Sequence, residues 1–346
     1  MKKTKSFILI ITTAILFYNC ESNTEDLTTD PIGEPQEDSV LNRNLSFEEV
    51  YAFEDDLLGG PYIGMTYSSN DNNLFISSRE NAPAGSTTEE EVFKLSLDSY
   101  QLMRKNVSPG GFITKQLTTI NDTLVSIGGT EFKFYDTSFE YAGEKSYGNN
   151  FTLSKFGIAT HNNDTYIIGG YRVDGPSREN KKIRKLRGNI TGNQFEEFIN
   201  TSETMIGASG AIVNERLHVF GGALYEDFEA TNKIFIYPLN NPQSYEEFSM
   251  TVKADVTFVH KYGEMILVAG HKGLYGTDKT SFVGLFDTTT NTFEEIKTNL
   301  DSESGTKAIH QMIVKEDKII VLFGHKASSQ LPMSMWSILS SDLLKD

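Results

Sequence analysis

The chain has 346 residues, with 31 Lys and Arg against 47 Asp and Glu and a net charge of −16. That acidic excess argues against nucleic acid as a partner, because phosphate contacts need clustered cations. A single cysteine, Cys20, excludes an intrachain disulfide, so an exported fold of this length must rely on its core. In chain order, Lys2, Lys3 and Lys5 precede an apolar run from Phe7 to Phe17 that is too short to span a bilayer comfortably, which is the anatomy of an export signal. Removing residues 1–19 would take away three lysines and no acid, moving the net charge from −16 to −19. Residues 20–44 hold Glu21, Glu25, Asp26, Asp30, Glu34, Glu37 and Asp38 among Ser, Thr, Asn and Pro. With almost nothing apolar to bury, this segment is expected to be a disordered tether.

Residues 45–346 are too many for one compact core unless the architecture repeats, and they do repeat. An apolar strand, a polar turn and a second apolar strand ending in small residues recur six times, at spacings of roughly 40 to 55 residues. The second strands read Leu74 to Ser78, Leu124 to Gly129, Tyr166 to Gly170, Leu217 to Gly222, Ile266 to Gly270 and Ile320 to Gly324. Turns such as Asn121-Asp122, Asn162-Asn163-Asp164, Asn214-Glu215, Tyr262-Gly263-Glu264 and Glu316-Asp317 stand before them, so each pair is a hairpin. Third strands follow at Val92 to Leu95, Phe132 to Tyr135, Ile234 to Tyr237 and Phe282 to Phe286. Fourth strands carry a Glu-Glu signature at Phe195 to Phe198, Tyr245 to Phe248 and Phe293 to Ile296, with looser copies near Tyr100 and Phe139.

Four strands per unit in six units predict an all-β fold, a six-bladed β-propeller with four-stranded blades over residues 45–346. The last unit runs out of chain after Met335 to Leu339, whereas Phe47-Glu48-Glu49-Val50 shows the fourth-strand signature ahead of the first unit. The N-terminal strand is therefore expected to complete the last blade and close the ring, removing the open sheet edges.

Two resemblances extend this reading. Leu16-Phe17-Tyr18-Asn19-Cys20 resembles a bacterial lipoprotein signal, which implies cleavage after residue 19, acylation of Cys20 and a lipid anchor in the outer membrane of the cell envelope. The diglycines Gly128-Gly129, Gly169-Gly170 and Gly221-Gly222 make residues 45–345 resemble a kelch-repeat propeller. Copper radical oxidases of kelch type are excluded, since they need a cysteine joined to a tyrosine and the sole cysteine here is assigned to lipid. Kelch-like sugar mutarotases and epimerases of the sialic acid type are six-bladed exported propellers, and that resemblance keeps a carbohydrate enzyme as the alternative.

No phosphate-cradling loop, His-Glu-x-x-His, Gly-x-Ser-x-Gly or metal-ligand spacing is present, so no cofactor and no metal are expected. The paired glutamates alternate across a strand and cannot converge on one atom; they are read as solvated outer-strand charges. The residues just after each second strand occupy equivalent positions and collect cations: Arg79, Arg172, His271, Lys272, His325 and Lys326. They are the candidate ligand-binding residues, a face for carboxylate, phosphate or sulfate groups. His161, His218, His260 and His310 are assigned to turns and strand packing. The expected function is that of a noncatalytic binding module, acting as a monomer on an anionic glycan or a protein, with no catalytic residue assigned.

Overall fold

The computed structural model describes residues 40–41, 44–53, 63–68, 72–79, 90–108, 116–120, 123–128, 131–136, 139–146, 153–172, 179–187, 195–272, 280–300, 307–325 and 333–345. Cys20, the segment expected to be an export signal and Lys326 lie outside them. Two compact units are defined, residues 1–38 and 39–346; the second contains every described residue.

The second unit is all-β, with one 3-10 turn at Ser340–Leu343 among the described residues. Its strands form antiparallel meanders. One sheet joins Gly64–Tyr67, Asn73–Arg79, Glu90–Ser96 and Leu102–Ser108; the next joins Gln116–Ile120, Thr123–Ile127, Glu131–Tyr135 and Tyr141–Ser146; a third joins Gly157–His161, Asp164–Ile168, Lys182–Leu186 and Phe195–Asn200. An eight-stranded sheet follows: Ser209–Val213, Arg216–Phe220, Thr231–Pro238, Glu246–Tyr262, Met265–Lys272, Thr280–Asp287, Thr292–Thr298, and Asn44–Leu45 added in parallel at its edge. The 17-residue strand Glu246–Tyr262 serves two partners in this sheet. Its first part pairs with Thr231–Pro238 and its second with Met265–Lys272, with register shifts on both sides of Ala254. A last sheet joins Lys307–Lys315, Lys318–His325, Met333–Leu339 and Glu48–Ala52, with Trp336 opposite Glu49.

The core explains why the second strands read as continuous apolar runs: both faces of these sheets are buried. Leu74 and Ile76 pack with Ile320, Leu322 and Met335 on one side, while Phe75, between them in sequence, packs with Leu117, Leu124 and Tyr135 on the other. The same alternation recurs along the chain. Ile127 meets Ile167, Ile168 meets Val219, Phe220 meets Ile266, and Leu267 meets Val321, so each hydrophobic cluster is shared by two neighbouring sheets or sheet halves. The arrangement is propeller-like, with small sheets stacked face to face and their first strands innermost.

Glycine is required where the chain leaves the second strand. Gly169 and Gly170 have φ of 58° and 76°, a left-handed pair that turns the chain outward, and a Cβ on Gly169 would stand 1.9 Å from the Met205 carbonyl oxygen. Fourth strands do follow near Tyr100 and Phe139. Tyr100 and Phe139 themselves have φ of 52° and 62° and lie in the connections, two residues ahead of the strands that begin at Leu102 and Tyr141.

The paired glutamates are engaged rather than merely solvated. Glu196 pairs with Arg187 and Glu197 with Lys182; Glu246 pairs with Arg216 and Glu247 with Lys233; Glu295 pairs with Lys272. Adjacent acids thus turn to different cations, as strand alternation requires. Among the described residues no helix is long and apolar enough to cross a membrane.

Candidate functional site

The first strands of the sheets surround a cavity of about 380 Å³. Met65 to Tyr67, Gln116 to Thr118, Ile158 to Asn162, Ser209 to Ile212, Thr257 to Lys261 and Gln311 to Ile313 line it. Every innermost strand and both meanders of the eight-stranded sheet contribute.

Near their starts these strands are stitched to one another. Gln116 Nε2 donates to the Phe156 carbonyl at 3.1 Å, the Gly207 amide to Lys155 at 2.8 Å, the Thr257 amide to Gly207 at 2.9 Å, and Gln311 Nε2 to the Ile63 carbonyl at 3.3 Å. Side-chain amides therefore satisfy backbone carbonyls that no ladder reaches. At Gly157 a Cβ would stand 2.1 Å from the Ala208 carbonyl oxygen, so the inner strands approach there as only glycine allows.

Titratable groups gather toward the opposite, hairpin-turn ends. His260 is half-buried, and its ring lies 6.1 Å from that of Tyr67. Burial holds the His260 imidazole below its ordinary range, partly countered by its contact with the Lys261 carbonyl. Burial pushes the Tyr67 phenol up, and Glu316 adds to the rise. The Lys315 ammonium sits 5.3 Å from the Tyr67 ring centroid and donates to the Ser68 carbonyl at 3.2 Å. His161 lies 2.9 Å from Glu215 and 2.9 Å from the Asn162 amide nitrogen. A neutral imidazole and a neutral phenol thus face one polar cavity, with Lys261 at its rim. Such a site can hydrogen-bond hydroxyls and exchange protons with them.

The residues singled out from sequence are distributed differently. Arg79 ends its strand opposite Glu90, and His325 ends its own opposite Lys307; their side chains are outside the described part. Arg172 lies opposite Leu153 in a two-residue ladder and close enough to Arg184 to depress its ionisation. Arg184 is drawn down to about 10, chiefly by burial. His271 Nε2 lies 2.5 Å from the Ile309 carbonyl oxygen, and Lys272 is ion-paired with Glu295. None of Arg172, His271 and Lys272 lines the cavity.

Of the four histidines assigned to packing, His218 and His310 are buried between strands, but His161 and His260 line the cavity. The missed signal is positional: the cavity takes its titratable groups from the residues just before the hairpin turns, not from those after the second strands.

Small antiparallel sheets around a central cavity define the class, a propeller-like all-β protein. No family model and no curated protein matches the chain. Among solved structures, that of YjhT resembles it with a TM-score of 0.51 at 12% identity, covering 68% of this chain and 83% of that one. At that identity the likeness speaks to the fold alone.

Proposed function

We propose that this chain is a noncatalytic binding module of the cell envelope: a kelch-like, six-bladed propeller, anchored through Cys20, that takes a small polar ligand of carbohydrate character into its central cavity. Counting the eight-stranded sheet as two blades gives six, and the pairing of Glu48–Ala52 with Met333–Leu339 supports closure by the N-terminal strand. The observation that carries the reading is the cavity itself. Its volume of about 380 Å³ lies within the range of small-molecule sites, and every innermost strand contributes a polar residue to its lining, among them Tyr67, Thr160, His161 and His260.

The test is calorimetric titration of the mature chain with glucose, N-acetylglucosamine, glucuronic acid and N-acetylneuraminic acid. Saturable binding of one sugar is expected, lost in Thr160→Trp, which fills the cavity from an exposed inner-strand position. Binding unaltered by that substitution, or none at all, would refute the cavity as the site. Preference for the two acids, reduced in Arg172→Ala, would assign an anionic ligand to the Arg172 and Arg184 side.

One observation favours a second reading, a sugar mutarotase of acid–base type. His260 is kept neutral and Tyr67 is kept protonated in the same cavity, which suits proton transfer at an anomeric hydroxyl. Proton NMR of anomer equilibration distinguishes the two: acceleration abolished by His260→Ala supports the enzyme, and an unchanged rate with saturable binding supports the binder.

A further inference from the structure

A second surface stands apart from the cavity, where the chain turns outward after its diglycines. Tyr171-Arg172 pairs back on Leu153–Ser154, and Ala223-Leu224 pairs back on Met205–Ile206. These two ladders bring Tyr171 and Tyr225, 54 positions apart, to a ring separation of 6.5 Å with their planes tilted by 33°. Phe228 stands beside them as an angled wall, its ring 5.9 Å from that of Tyr225 and tilted from it by 59°.

The loop that presents Phe228 is preorganised. The Phe228 amide donates to the Leu224 carbonyl at 3.0 Å, the Leu224 amide to the Glu229 carbonyl at 3.0 Å, and Asp227 Oδ1 accepts from the Glu229 amide at 2.9 Å. Yet Phe228 has φ of 57° and is 38% exposed. A large ring on a left-handed backbone carries a cost that glycine would not, and here it is set against the contact with Tyr225.

We infer that Tyr171, Tyr225 and Phe228 form a shelf for the apolar face of a neutral pyranose ring, with the exposed carboxylates of Glu226 and Asp227 receiving its hydroxyls. The chemistry matches on both counts. Grouped rings offer apolar area at low entropic cost, and carboxylates beside them accept hydrogen bonds that sugar hydroxyls donate. Glu226 and Asp227 disfavour an anionic ligand, Glu229 being ion-paired with Lys253. A cation is disfavoured from the other side, because the Lys155 ammonium already stands 5.9 Å from the Tyr171 ring centroid. The shelf does not depend on the cavity reading, since none of its residues lines the cavity.

The test is saturation-transfer NMR and titration of the mature chain with cellobiose, mannobiose and N,N′-diacetylchitobiose, with N-acetylneuraminic acid and choline as charged probes. A neutral disaccharide is expected to bind, weakened roughly tenfold or more by Tyr225→Ala and by Phe228→Ala, with Phe228→Tyr retaining affinity. Phe228→Leu, which keeps an apolar side chain but no ring, should lose binding while the melting temperature stays close to the parent's, which separates loss of the shelf from loss of fold. Thr160→Trp, which closes the cavity, should leave this binding in place. The inference is overturned if no neutral disaccharide binds, if choline or the acidic sugar binds better, if the alanine variants bind as the parent does, or if Thr160→Trp abolishes the effect.

Discussion

Acid should unfold this protein in part through His218. The side chain is 1% exposed, with Nδ1 2.9 Å from the Arg216 carbonyl oxygen and its ring 5.8 Å from that of Phe286. Burial drives its ionisation from 6.5 down to about 4. The unfolded chain therefore takes up this proton below about pH 6.5 and the folded chain only below about pH 4, so stability is lost as the pH falls through that window. Between pH 7 and pH 5 the linkage amounts to about 2 kcal/mol from this one group. Urea unfolding of the parent and of His218→Gln, each at both pH values, reads it directly. Gln keeps a donor for the Arg216 carbonyl but does not titrate, so its loss of stability between the two pH values should be smaller than the parent's by about 2 kcal/mol, whatever its absolute stability. Equal pH dependence in the two proteins would refute the buried, neutral state of His218.

Other perturbations test other parts of the structure. A chain beginning at residue 39 should melt as one beginning at residue 20 does, whereas one beginning at residue 61 loses Glu48–Ala52 and the buried Leu45, Phe47 and Phe53; at about 2 kcal/mol for each of those three side chains it should melt far lower or fail to fold. Gly157→Ala forces a methyl against the Ala208 carbonyl and should cost about 2 to 3 kcal/mol, seen as a drop of several degrees in the melting temperature. Cys20→Ser should move the protein from the membrane to the soluble fraction and end the incorporation of labelled fatty acid; a variant that stays bound and labelled would defeat the anchor.

The strands were legible because their physics is local. Leu217-His218-Val219-Phe220 buries both faces and ends in a glycine pair whose backbone goes left-handed, and each of those facts is written in residue types. The turn at Asn162-Asn163, with φ of 49° and 65°, was equally plain. The cavity was not legible. His260 looks like any residue near a strand end until the neighbouring first strand brings Tyr67 against it, 193 positions away in sequence. Lys272 shows the reverse error: it belongs to a run of equivalent cations, but Glu295, one hairpin further on, takes its charge. Alignment of repeats finds which residues share a position, while ion pairs between strands decide which of them remain available to a ligand.

The pairing of Glu48–Ala52 with Met333–Leu339, and of Val40–Leu41 with Leu344–Lys345, ties the order of synthesis to the moment of stabilisation. A chain delivered N-terminus first carries one half of this seam almost from the outset and receives the other half last. Until then Glu48–Ala52 has no ladder to join, and the sheet that begins at Lys307 has no outer strand. Such distant pairing is slow to form and withholds its reward until the end. For a chain exported as proposed above, that delay is a gain, because a register spanning nearly its whole length cannot set while the far end is still on the other side of the membrane.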